Sequence, residues 1–345
     1  MIAPAFPPAH QSVPESLANP SNATATRLTG RDYTSWSALS TFRSCPLRYK
    51  FRYIDGLPEE FVSAALVFGT GIHTAIEQHF QAILSGERLP STDQLMFAYR
   101  AAWLPYAPDS VRYASKDTRT SLDDLACRVL TAFQRSSLSS VTGRVLGVEE
   151  ELRGQLAEGM PDLLGRVDLL TEDDDRLLVT DIKTSRSRWS HEQVEDSGEQ
   201  LLLYAKLAAD IGPGKKLQTR FLVLTKAKEP VVEEHVADVS NAKINRTIAA
   251  AHQVWRAIES GVFYPAPSAM NCSGCGYRQR CRSWPEETGD DARSSISRQR
   301  TPETDQSPRH EPVPGGPGKT PATQDAENAL ATTPAKALND HSTDP

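Results

Sequence analysis

An α/β fold is predicted by three observations. Residues 165–183 hold two short apolar runs with β-branched residues, Gly165-Arg166-Val167-Asp168-Leu169-Leu170 and Leu177-Leu178-Val179-Thr180-Asp181-Ile182-Lys183, around an Asp-rich polar cluster. That is the pattern of strand, turn and strand. Ile72, Ile76, Phe80 and Ile83 recur at helical spacing and mark a buried stripe. A further apolar run, Arg220 to Thr225, precedes a helical pattern from Ile244 to Ile258 that carries Trp255.

In chain order, residues 1–30 are rich in Pro, Ala, Ser and Asn without periodicity, and are expected to form a disordered leader. Ser37 suits an N-cap, and Leu39, Phe42 and Cys45 recur at helical spacing, so Cys45 should face inward near the helix end, where Pro46 marks a break or the start of another helix. Arg43, Arg48, Lys50 and Arg52 interleave with Tyr49 and Tyr53. This suits either a surface that tracks phosphates or the polar face of an amphipathic helix. The helix around Ile72 follows, with His73 bordering its stripe and Glu77 one turn further on. Taken alone, such a histidine reads as a structural residue near a core.

From about 93 to 140, Leu95, Phe97, Ala101, Trp103, Leu125, Val129, Leu130 and Phe133 fall at mostly helical spacings and predict a helical insert. Cys127 within it is expected to be a buried small hydrophobe. Val145 to Leu152 should be the strand before the hairpin, with Glu149 either reaching toward the hairpin or ending an exposed acidic strand. After Lys183, Ser185-Arg186-Ser187-Arg188-Trp189 is a basic loop placed to touch a phosphate or base. Gln200 and Tyr204 then sit four apart on a helix beside Leu201, Leu203 and Leu207. Residues 286–345 are dominated by Pro, Thr, Ser, Asp and Gly and are expected to be a disordered tail. The stretch 31–285 is long enough for one domain with inserted helices.

The formal charge of −6 belongs almost wholly to the tail. Residues 31–285 hold 32 acids and 31 bases, so any positive groove must come from local clustering. The sequence has no apolar span long enough for a membrane helix and no signal-peptide pattern at its start. Five cysteines are an odd number for a secreted disulfide framework, and a cytoplasmic protein without a membrane partner is expected.

The chemistry concentrates in the hairpin. A turn centred between Asp174 and Asp175 sets Asp168 opposite Asp181, and cross-strand partners project from one face. Alternation then puts Lys183 on the face of Asp181, taken to be exposed, and Ile182 in the opposite, buried layer. Adjacent carboxylates repel unless a positive charge lies between them, so a divalent cation is the natural guest. Oxygen ligands suit Mg²⁺ or Mn²⁺, and a lysine beside them suits stabilisation of developing negative charge. The competing interpretation is a solvent-exposed hairpin with scattered charges.

A second cluster closes the ordered region. Cys272, Cys275 and Cys281 form C-x2-C-x5-C, and thiols this close in a reducing compartment point to a bound metal. Cys45 is the candidate fourth ligand, and zinc is the default for four thiolates.

Asp168 followed by Asp181-Ile182-Lys183 resembles the core of the PD-(D/E)xK nucleases, specifically the RecB-like exonuclease branch. The resemblance implies a restriction-endonuclease-like core, with a mixed central sheet flanked by helices and a helical insert. It implies that Asp168, Asp181 and the carbonyl of Ile182 bind metal and that Lys183 assists catalysis. Gly-Thr-Gly-Ile-His at 69–73 resembles the branch's G-x-x-H element, which makes His73 a further metal ligand, and Glu149 matches its early glutamate. Gln200 and Tyr204 match its Q-x-x-x-Y element near the cleft. The one-plus-three cysteines resemble the iron–sulfur staple of helicase–nuclease subunits and CRISPR-associated adaptation nucleases, implying a 4Fe-4S cluster on Cys45, Cys272, Cys275 and Cys281. The expected activity is that of a metal-dependent DNA exonuclease in recombination or repair, acting on ends or single strands. The alternative is a catalytically silent DNA-end-binding or scaffold module. No G-x-x-x-x-G-K-[ST] loop is present, so a helicase motor would be a separate subunit.

Overall fold

The computed structural model describes residues 19–287. The leader up to residue 18 and the tail from residue 288 lie outside the described residues. The elements in order are α1 (Pro20–Thr29), β1 (Thr34–Ser35), α2 (Trp36–Ser44), α3 (Pro46–Tyr49), β2 (Val62–Ser63), α4 (Ala64–Ser85), α5 (Thr92–Ala101), β3 (Val111–Arg112) and α6 (Arg119–Arg135). They continue with β4 (Arg144–Gly154), β5 (Leu163–Glu172), β6 (Arg176–Ser185), α7 (His191–Ser197), α8 (Glu199–Ala208), β7 (Lys216–Thr225), β8 (Val232–Ala237), α9 (Asn241–Glu259), α10 (Ala269–Ser273) and α11 (Arg278–Glu287). This is the mixed α/β architecture that the sequence predicts.

The central sheet runs β1-β5-β6-β7-β8, with β4 on the other edge of β5. β4, β5 and β6 are antiparallel in succession, β6 and β7 are parallel, and β8 returns antiparallel to β7. One apolar layer joins Leu163, Val167, Leu177, Val179, Phe221 and Val223 to α2, α8 and α9. The other joins Val145, Leu169, Ile182, Leu222 and Leu224 to α4, α5 and α6.

Helix α4 is the longest element because its ends are chemically specified. Ser63 accepts from the Leu66 N–H at the start, and Gly86 at φ 67° closes the end in the left-handed conformation. Its stripe of Ile72, Ile76 and Phe80 is fully buried. Gly71 is needed for packing: a Cβ there would lie 2.6 Å from the Tyr99 ring of α5.

The expectations for the leader and for Cys127 are corrected. The leader is ordered from Asn19, because Asn19 and Asn22 donate to the carboxylate of Asp162 at 3.2 and 3.0 Å and dock α1 on the sheet. The expected helical insert is present as α5 and α6, with residues 102–118 forming turns and the short strand β3 between them. Cys127 on α6 faces solvent rather than the core, and Phe97 on α5 is exposed as well. Of the two interpretations of the basic residues near Tyr49, the polar helix face is the one favoured, since the protein's own acids match them: Arg43 pairs with Glu199, Lys50 with Asp55 at 2.7 Å, and Arg52 with Glu59 at 3.3 Å. Among the described residues, no helix is long and apolar enough to cross a membrane.

Candidate active site

The site forms where the sheet forks. β5 pairs with β6 only over Leu169–Glu172, and with β1 only at Leu163 and Leu164. The register, with Leu169 opposite Thr180, is the one that sets Asp168 level with Asp181, but the ladder stops one residue short of that pair. Beyond it β6 stays with β7 as far as Ser185 and Thr225, while β5 stays with β4. The Ile182 N–H therefore finds no strand partner on β5 and donates instead to Asp168 Oδ2 at 2.5 Å. The strand-end acid takes the place of a ladder bond.

The alternation of β5 also breaks here. Val167 and Leu169, two apart, pack in opposite apolar layers, whereas regular alternation would put them on one face. On β4, level with Asp168, Glu149 has φ 52°, the only positive value among described residues other than glycine. A glutamate gains nothing locally from the left-handed region, so the surrounding sheet imposes it. The kink turns the carboxylate of Glu149 toward Asp168. Ligand atoms of His73, Glu149 and Asp168 then lie within 4.8 Å of one another, and His73 Nδ1 is 3.6 Å from Asp168 Oδ2.

Asp181 and Lys183 continue the face of Leu177 and Val179, toward α8. Asp181 is buried at 3% exposure, not on an exposed strand face as the alternation alone suggested. Lys183 Nζ lies 2.6 Å from Asp181 Oδ2, an ion pair outside hydrogen-bond geometry, so that oxygen has no hydrogen-bond partner. Lys183 instead donates to Gln200 Oε1 at 3.2 Å, and Gln200 Nε2 donates to the Tyr204 hydroxyl at 3.1 Å. Tyr204 sits against Gly165, where a Cβ would come within 2.7 Å of its ring. Ile182 packs in the layer of α4, and its backbone reaches the His73 ring.

The electrostatics follow from this crowding. Burial, followed by the charges of Asp168 and Glu77, pushes Glu149 up to about 7. Burial and then Asp181 push Asp168 up to about 8. Burial also holds His73 below its ordinary range, against the attraction of Asp181, so its imidazole is neutral and able to ligate. Burial disfavours the Lys183 ammonium, but Asp181 and Asp168 more than offset this and raise its pKa. A neutral histidine, two acids reluctant to ionise and a buried Asp181 oxygen that is ion-paired with Lys183 but accepts no hydrogen bond together fit a divalent cation, whose charge would release the protons that crowding retains.

A cleft of about 500 Å³ opens over the group, lined by His73, Glu77, Glu149, Arg166, Asp168 and Lys183. The sequence analysis did not single out Arg166, which is 3.8 Å from Glu149 and 2.6 Å from Glu151. Its signal was its place two residues before Asp168 on the same strand. Trp189, expected to face a substrate, packs inward on Phe221 with ring centroids 5.0 Å apart.

The model of the PD-(D/E)XK nuclease superfamily matches residues 33–282. The chain belongs to that superfamily. Asp168 lies on β5, and Asp181 and Lys183 on β6, the two strands that part at the fork. A search of curated proteins finds no match. Among solved structures, a proposed exonuclease from Eubacterium rectale aligns with 13% identity over 86% of this chain and 97% of its own, with a TM-score of 0.47. The protein SSO0001 aligns with 14% identity over 65% of this chain and 87% of its own, with a TM-score of 0.30.

The cysteines gather at a separate place. Cys45, at the junction of α2 and α3, lines one cavity of about 230 Å³ with Cys272, Cys275 and Cys281. Leu47, Phe51 and Tyr277 form its apolar wall. Burial, then Cys45, Cys275 and Cys272 in turn, push up the Cys281 thiol. No three of the four sulfurs lie within 4.8 Å of one another, so the thiols surround the cavity without closing into a compact ligand group.

Proposed function

We propose that this PD-(D/E)XK superfamily member is a Mg²⁺- or Mn²⁺-dependent DNA exonuclease of the RecB-like type, acting on DNA ends in recombination or repair. The observation that carries the reading is the convergence of His73, Glu149 and Asp168 within 4.8 Å, beside the Asp181–Lys183 pair. A non-catalytic scaffold has no use for clustered acids that repel phosphate.

His73, Glu149, Asp168 and Asp181, with the Ile182 carbonyl, would hold the cation. When bound, such an ion polarises a phosphoryl oxygen and lowers the pKa of water at neutral pH. Lys183 stays protonated and presents its ammonium to the negative charge that develops as the phosphodiester is attacked. Gln200 fixes where that ammonium points, and Tyr204 fixes Gln200. Arg166 at the rim is held by Glu151 and Glu149 and so helps fix the Glu149 carboxylate.

The four cysteines are read here as the ligands of a 4Fe-4S cluster. The support for this reading is that the four cysteines line one cavity, and zinc, the default for four thiolates, is the alternative. A cluster there would tie Cys45 to the last three cysteines and so join the two ends of the folded region. The cytoplasm, as a reducing compartment, and a separate helicase subunit belong to the same reading.

End-labelled single- and double-stranded DNA incubated with the purified protein and Mg²⁺ or Mn²⁺ should shorten progressively from an end and stop on adding chelator. Cleavage that continues in chelator, or that Lys183→Ala retains at the wild-type rate, would defeat the reading.

A further inference from the structure

Two cavities meet on the outer face of α4. The cleft of the candidate site reaches from Leu66 through Thr70 and His73 to Thr74 and Glu77. The second, of about 560 Å³, begins at the same Thr74 and Glu77 and continues past Gln78 and Gln81 to Phe97 on α5. Leu66, Thr70, Thr74 and Gln78 are four apart, so one face of one helix floors both. From Leu66 to Gln81 that floor is about 22 Å long at 1.5 Å per residue.

The chemistry of the extension differs from that of a phosphate track. Its charged groups are Glu77, Glu87 and Arg88, an acidic balance that disfavours a backbone lying along the floor. Its other polar groups are the Thr74 hydroxyl and the amides of Gln78, Gln81 and Gln94, the last with its oxygen held by the Ser91 N–H, and such amides donate and accept at base edges. Phe97 stands at its side with 76% of its surface exposed. A large aromatic left in water at the wall of a groove continuous with the candidate site is suited to stack on an unpaired base. Leu66, 54% exposed, gives the opposite end of the groove a second apolar surface.

We propose that this groove holds the single strand next to the bond being cut, with the bases turned onto α4 and Phe97 stacked on one of them. Duplex DNA keeps its bases inside its own stack and presents two rows of phosphate, so it cannot use Phe97 and is repelled by Glu77 and Glu87. The inference rests on the nuclease reading and narrows its substrate to an unpaired strand. Phe97 is a positioning residue, not a catalytic one.

The test uses the full chain, with Phe97→Ala, Phe97→Trp and, as a control away from the groove, the 83% exposed Leu104→Ala. Fluorescein-labelled oligothymidylate would be titrated with Ca²⁺ in place of Mg²⁺, and the same strand cleaved with Mg²⁺ or Mn²⁺. Phe97→Ala is expected to raise both Kd and KM about tenfold, the scale of one lost base stack, while kcat changes by less than about twofold. Phe97→Trp should restore both constants, and Leu104→Ala should match the wild type. Wild-type cleavage with an unchanged Kd and KM in Phe97→Ala would overturn the groove and leave the nuclease reading standing, as would an equal loss on duplex. A wild type that cuts no DNA at all would remove both together.

Discussion

Glu149 offers a test in which stability and activity move in opposite directions. Its carboxyl goes from an ordinary 4.5 to about 7 in the fold, mainly through burial and then the charge of Asp168. An acid whose folded pKa is raised binds its proton more tightly folded than unfolded, so metal-free stability falls as pH rises from about 4.5 to 7. At pH 8 the group is ionised in both states, and at ~1.4 kcal/mol per unit the folded carboxylate costs on the order of 3 kcal/mol. At pH 5 most of that cost is absent. Glu149→Gln keeps the shape and removes the charge, so it should stabilise the metal-free protein by on the order of 3 kcal/mol at pH 8 and by less than ~1 kcal/mol at pH 5. Urea unfolding in chelator at the two pH values measures this difference. The same variant should lose cleavage, and should lose the rise in Tm that Mg²⁺ or Mn²⁺ gives the wild type at pH 8. Equal stability of variant and wild type at pH 8 would show that Glu149 is not held against Asp168. A full metal-dependent Tm rise in the variant would remove Glu149 from the ligand set.

Further outcomes follow from the same geometry. Lys183→Ala should abolish cleavage and also lower the melting temperature, because the buried Asp181 loses its counter-charge; breaking such a pair costs ~3–5 kcal/mol, so an unchanged melt would refute the pairing. Gly165→Ala should lower stability by ~1–3 kcal/mol and slow cleavage by displacing the Tyr204 ring, and Tyr204→Ala in the same chain should remove the clash, as a double-mutant cycle would show. Anaerobically purified protein should be brown with about four irons per chain, as a four-cysteine 4Fe-4S site requires. Cys45→Ala should bleach it and lower its Tm, whereas Cys127→Ala, exposed on α6, should change neither; one zinc and no iron would exclude the cluster.

What the sequence determined by itself was mostly local. The alternation of apolar residues on either side of an Asp-rich turn was enough to set Asp168 level with Asp181, because a hairpin's register depends on its turn and its period of two. The same period assigned Ile182 to the core and Lys183 to the face of Asp181. The stripe Ile72, Ile76, Phe80 placed His73 at the edge of a buried helix face, again from spacing alone.

Tertiary structure decided what depends on partners far away in the chain. Asn19 caps the start of Pro20–Thr29 and Gly30 its end, local signals for a helix, but what docks that polar segment on the sheet is Asp162, about 140 residues away. Asn22 is a turn residue by composition and a docking residue only in the fold. Whether Arg43, Lys50 and Arg52 were free for phosphate depended on Glu199, Asp55 and Glu59 lying opposite them. The fork at Asp168 was hidden for a related reason. Hydrophobic periodicity reports which face a residue occupies on a regular strand, and at Glu149 and Asp168 the strands stop being regular. That irregularity gathers three ligand atoms from α4, β4 and β5, and its cost is met by the packing of both layers around it. A pattern read along one strand carries no trace of it, because the strain is imposed by the neighbouring strands.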